Sequence, residues 1–100
     1  MPPQANDAIE NMRARIVAEK ALNAAVNNRF TDKAPHLKRQ LKFAADTLDD
    51  LERMFLPSAE KGNQSMWLYG AEVLFQIAVS YRKAVEELVN KYGSDIMSIG

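Results

Sequence analysis

The sequence predicts an all-α protein: a three-helix bundle with a long antiparallel αα-hairpin from helices two and three, and helix one packed across it. Three observations lead there. Two long segments carry apolar residues at alternating four- and three-residue spacings, the signature of an amphipathic helix. No segment alternates apolar and polar residues with the period of two that a half-buried strand needs. Pro35, Pro57, Gly62 and Gly93 punctuate the chain where helices are expected to begin or end.

Helix one is expected over about residues 6–28, as part of a single domain spanning 1–100. Asn6 is a good N-cap, and Asp7 and Glu10 favour the positive end of the helix dipole. Ile9, Met12 and Ile16 share one face. Ala18, Leu22 and Ala25 continue on a face rotated away from it, so the helix either meets different neighbours at its two ends or bends. A break follows at Asn27 to Asp32.

Helix two is expected over about 32–56, capped by Thr31 or Asp32. Pro35 fits only the first turn, where its missing N–H costs nothing. The stripe Leu37, Leu41, Ala44, Leu48, Leu51, Phe55 is followed by Pro57, which is expected to stop the helix. After a short linker, Asn63 or Ser65 opens helix three, over about 63–92. Its stripe is Trp67, Ala71, Leu74, Ala78, Tyr81, Val85, Leu88, Tyr92. Gly93 is a candidate left-handed C-cap. The tail 93–100 is expected to be a loose end, although Ile96, Met97 and Ile99 offer apolar groups for docking.

Folding helix three back on helix two pairs Phe55 with Trp67. The same register pairs Leu51 with Ala71, Leu48 with Leu74, Ala44 with Ala78, Leu41 with Tyr81 and Leu37 with Val85, and brings Phe30 to Tyr92. Large residues face small ones, and alanine faces alanine at the middle, which permits close approach at a shallow angle.

Helix three carries more apolar surface than this pairing uses. Between Met66 and Val79 only Glu72 and Gln76 are strongly polar. Met66, Val73 and Ile77 lie on one flank of the stripe; Leu68, Phe75 and Val79 lie on the other. Helix one can cover one flank. An uncovered second flank is a candidate contact surface, because a contiguous exposed apolar patch drives association. The bland alternative is that helix one and the tail cover both.

Function is expected to lie in association rather than chemistry. The reading is a non-catalytic interaction or assembly module that associates with itself, forming a homo-oligomer, or docks on a larger protein assembly. A virion- or phage-type structural or adaptor protein is one form of this. Thirteen basic residues balance thirteen acidic ones, which argues against a nucleic-acid binder driven by bulk charge. The rival reading is nevertheless a nucleic-acid-associated regulator, using Arg29 and the patch Lys33, Lys38, Arg39 and Lys42 on the basic first half of helix two. The same patch could orient a protein partner. Its acidic second half, Asp46, Asp49, Asp50 and Glu52, is the reverse of what the helix dipole prefers. Glu86 and Glu87 of helix three could offset the basic half.

No cofactor, metal or catalytic residue is assigned. The absence of cysteine excludes disulfides and thiolate sites. His36 stands alone, no Glu-x-x-His pair suits a di-iron bundle, and no glycine-rich phosphate loop is present. The run Trp67-Leu68-Tyr69-Gly70 departs from the Trp-x-Gly of the small secreted WXG family by an extra residue and by lying within a helix. The run 66–79 is too short for a membrane span of roughly 20 residues. The opening residues lack the basic and apolar regions of a secretion signal. An intracellular, soluble, cytoplasmic protein is the resulting expectation.

Overall fold

The computed structural model describes residues 5–29 and 34–98. These form α1 (Ala5–Asn27), α2 (Pro35–Asp50), a π-helical turn (Leu51–Phe55), α3 (Leu56–Lys61) and α4 (Gln64–Ser98), with no strand among the described residues. Three rods result, because α2, the π turn and α3 are continuous. α4 spans the long axis: its 35 residues at 1.5 Å each give about 52 Å, against a molecular length of 53 Å. The middle rod runs antiparallel to both α1 and α4, and α1 packs across the pair.

The N-terminus of α2 falls later than the spacing suggests. Ala34 stands at the N-cap with no side-chain cap, its carbonyl accepts from the Leu37 and Lys38 N–H groups, and Pro35 takes the first turn as expected. Phe30, Thr31 and Asp32, with the Phe30–Tyr92 pairing, lie outside the described residues. α1 begins at Ala5, which places Asn6 just inside the helix.

Pro57 does not stop the middle rod. The Leu56 N–H donates five residues back to the Leu51 carbonyl, which inserts one residue into the helix. Proline in an ordinary helix clashes with the carbonyl four residues earlier. The wider π turn moves those carbonyls aside, and the chain continues to Lys61 with Pro57 in the first turn of α3. The inserted residue also shifts the phase of the buried face. Its step from Leu51 becomes five residues, to Leu56, and Ala59 follows; both are fully buried. The linker shrinks to Gly62 and Asn63.

Asn63 caps α4, its Oδ1 accepting the Met66 N–H at 3.1 Å. Asn63→Ala is expected to cost about 1 kcal/mol in urea unfolding, the usual worth of an N-cap. At the other end Gly93 does not terminate the helix: its φ is not positive, and α4 continues to Ser98. The side chains of Ile96 and Met97, and all of Ile99, lie outside the described residues.

The core is a seam on each rod. α1 contributes Ile9, Met12, Ile16, Glu19, Asn23 and Val26, spaced three and four throughout, so it presents one face along its whole length without the expected rotation. Ala18, Leu22 and Ala25 are exposed instead. α4 contributes Ala71, Phe75, Ala78, Arg82, Val85 and Val89. The predicted contact of Phe55 with Trp67 is present, edge to face at 5.2 Å between centroids. Tyr81, expected on Leu41, instead stacks on Phe43 at the surface, at 4.9 Å. Leu88 and Tyr92 are exposed, and Val89 is buried in their place. The predicted stripe faces helix two alone; with α1 alongside, the buried line of α4 shifts toward the wedge between both neighbours.

Two apolar clusters fill this seam. The larger includes Ile9, Ile16, Leu48, Leu51, Leu56 and Phe75; the smaller joins Val26, Ala34, Leu37, Leu41, Val85 and Val89. Between them lies a polar layer. Arg82 donates from Nε and Nη2 to the two carboxylate oxygens of Glu19, both at 2.7 Å, and from Nη1 to Glu86 at 2.6 Å. Asn23 donates to the Leu41 carbonyl at 3.2 Å. Glu19 holds Arg82 above its ordinary pKa, burial opposes this, and Glu86 adds to the rise. No buried side-chain polar atom among the described residues lacks a hydrogen-bond partner.

Candidate interaction face on the longest helix

α1 settles which flank of α4 is covered. Phe75 is only 6% exposed, and the Arg15 guanidinium lies 4.5 Å above its ring. Leu68 and Val79 are half-buried against the larger cluster. These three residues, read from the sequence as candidate interface positions, therefore pack within the chain. The reason is geometric: α1 runs along their side of α4.

The opposite flank is open. Met66 is 63% exposed, and Val73 and Ile77 are exposed beside it. The structure adds three residues that sequence reasoning did not place there. Tyr69, 75% exposed, and Tyr81 extend the stripe along α4, and Phe43 widens it onto α2. Tyr69, Val73, Ile77 and Tyr81 follow one another at four-residue intervals, so they form a single ridge on the helix surface. That spacing was the available signal.

The ridge borders a shallow groove of about 480 Å³, lined by Tyr69, Glu72, Val73, Gln76, Ile77, Ser80 and Tyr81, all on α4. Its polar members bond within the chain. The Ser80 hydroxyl donates to the Gln76 carbonyl at 2.8 Å, and the Gln76 amide donates to Glu72 at 2.7 Å. Arg15 donates twice to Glu72, at 2.7 and 2.9 Å. No charged side chain interrupts the ridge.

This arrangement has a pH signature. The bidentate bond from Arg15, with help from Gln76, holds the Glu72 carboxyl down at about 2, against the opposing effect of burial. A carboxyl depressed in the folded state adds stability above its ordinary value of 4.5 and loses it as pH falls toward 2. Glu72→Gln is expected to flatten the pH dependence of urea stability in that window. An unaltered acid limb would show that the pair contributes nothing there.

The charged patch on α2 is less available than its sequence suggests. Lys33 lies outside the described residues. Lys42 pairs with Asp46 at 2.8 Å, Lys38 is half-buried beside the polar groove between α1 and α2, and Arg39 is exposed. Arg29 donates to Asn90 at 2.9 Å. The acidic half of the helix is matched by α1: Lys20 bonds Asp49 at 2.6 Å and Glu52 at 2.9 Å. Glu86, proposed to offset the basic half, bonds Arg82 instead.

Among the described residues, no group of three or more His, Cys, Asp or Glu side chains is placed to hold a metal, and no helix is long and apolar enough to cross a membrane. No family model, curated protein or solved structure matches this chain. The functional reading therefore rests on the geometry of the surface.

Proposed function

We propose that this protein is a non-catalytic assembly module that associates with further copies of itself through the outer face of α4. The observation that carries this reading is the contiguous exposed ridge of Met66, Tyr69, Val73, Ile77 and Tyr81, with Phe43 beside it. Six such residues at these exposures offer on the order of 600–700 Å² of surface, most of it apolar, against the roughly 800 Å² per partner of a standard stable interface. Tyrosine is the kind of residue that supplies most of the energy at protein interfaces. A second copy brings the same charge-free ridge, so the contact joins apolar surface to apolar surface with no buried charge to compensate.

The test is molar mass in solution by sedimentation equilibrium. The wild-type chain is expected to be oligomeric at micromolar concentration. Ile77→Glu should weaken association at least about 100-fold, because a carboxylate forced into a dry contact costs several kcal/mol and each 1.4 kcal/mol is tenfold. Its far-UV circular dichroism should be unchanged, since Ile77 points away from the core. A strictly monomeric wild-type chain would overturn the reading.

A further inference from the structure

The ridge has an order of its own. Read at four-residue intervals it runs Tyr69, Val73, Ile77, Tyr81: tyrosines at both ends and β-branched residues in the middle. It is nearly the same read backwards, with its centre at residue 75. A two-fold interface uses one patch on both subunits, so where one residue of the first copy meets a second residue of its partner, the reverse contact is made as well. A ridge that is symmetric under reversal suits an axis perpendicular to the helix.

We infer that two copies pair antiparallel through α4, with the two-fold axis beside residue 75, Val73 against the partner's Ile77, and Tyr69 against the partner's Tyr81. This deepens the self-association reading and rests on it. Rows spaced by four residues on each helix pack into the grooves between the same rows on the other, a common mode of helix contact. Tyrosine on tyrosine closes each end of the contact, and Phe43, already stacked on Tyr81, widens it at both ends at once. Close to the Tyr81 end Ser80 has turned its hydroxyl back onto the Gln76 carbonyl, which removes a polar demand from the face.

The charges beyond the ridge choose between the two orientations. Glu87 and Lys91 are exposed on α4 past its end, turned toward the same outer side. A parallel, in-register pair would bring each of them close to its own copy. In the antiparallel pair Glu87 stands twelve residues from the centre, so the two copies of Glu87 lie about 36 Å apart along the axis. That exceeds the screening length of about 8–10 Å at ordinary salt, and the repulsion vanishes.

The chain lacks cysteine, so a single introduced thiol can be labelled without background. A nitroxide on Glu87→Cys, which lies past the end of the ridge, reports the distance between copies by pulsed electron resonance in the full chain. The expected distance is about 36 Å, altered by the label arms. A distance under about 20 Å would mean parallel helices side by side at this position, and would overturn the orientation while leaving self-association intact. A chain that sediments as a monomer would overturn both. As a second measurement, Tyr69→Cys and Tyr81→Cys chains are mixed and oxidised. Mixed disulfides should dominate over disulfides between identical chains; the reverse would exclude the proposed register.

Discussion

Replacing Glu19 with alanine is expected to cost about 3 kcal/mol of folding stability, a large share of the 5–15 kcal/mol that holds a small domain together. Glu19 is 4% exposed and Arg82 is 6% exposed. Removing the carboxylate leaves a guanidinium in the core with only Glu86 to answer it. Breaking a buried pair from one side is strongly destabilising because the surviving charge stays out of water. Removing both sides is a different experiment. Glu19→Leu together with Arg82→Met is expected to fall within about 1 kcal/mol of wild type, or to exceed it, since apolar residues of similar volume replace a desolvated pair without penalty. Urea unfolding of the two single variants and the double variant measures the coupling directly. A single variant within about 0.5 kcal/mol of wild type would mean that water reaches the pair.

Phe75 and Ile77 are two residues apart and should behave as opposites. Phe75→Ala is expected to cost about 3–5 kcal/mol, the range for emptying a buried aromatic site. Phe75→Glu puts a carboxylate in the same buried place, beside an Arg15 already engaged by Glu72, and its helical signal should be largely lost. Ile77→Glu should leave helicity nearly intact and act on association, lowering the melting temperature only by the stability that association adds. The discriminating measurement is circular dichroism alongside molar mass for each variant. Preserved helicity in Phe75→Glu, with dissociation, would place Phe75 on the outer face and contradict the packing of α1 along that flank.

Helix content and the pairing of Phe55 with Trp67 were legible in the sequence because they depend on local period and a short connection. The seam of α1 was not. Its continuation past Ile16 uses Glu19 and Asn23, and a search for apolar residues passes over polar groups at seam positions. Spacing alone marks them: 9, 12, 16, 19, 23 and 26 step by three and four without a break. Their partner Arg82 hides for the same reason. The passage through Pro57 was illegible because proline reads as a stop, and the inserted residue that makes room for it leaves no compositional mark. The candidate face was half legible. Met66, Val73 and Ile77 were separable from Leu68, Phe75 and Val79 by helical angle, but the choice between flanks depended on which side α1 takes. That is a tertiary fact. Tyr81 was misplaced because its spacing fits the hairpin stripe as well as the outer ridge.

The layer of Glu19, Asn23 and Arg82 also divides the molecule in time. Apolar contacts do not run continuously from one end of the bundle to the other. The smaller cluster, around Leu37, Leu41 and Val85, sits at the end where α1 gives way to α2, and it holds fewer large side chains than the larger. Segments with less buried apolar surface open at lower free energy than the whole. Amide hydrogens around Val26, Leu41 and Val89 should therefore exchange through partial openings, while those around Ile16, Leu48 and Phe75 wait for global unfolding. The proposed contact centres on residue 75, within the slow half, so association would be presented by the part of the chain that stays closed longest.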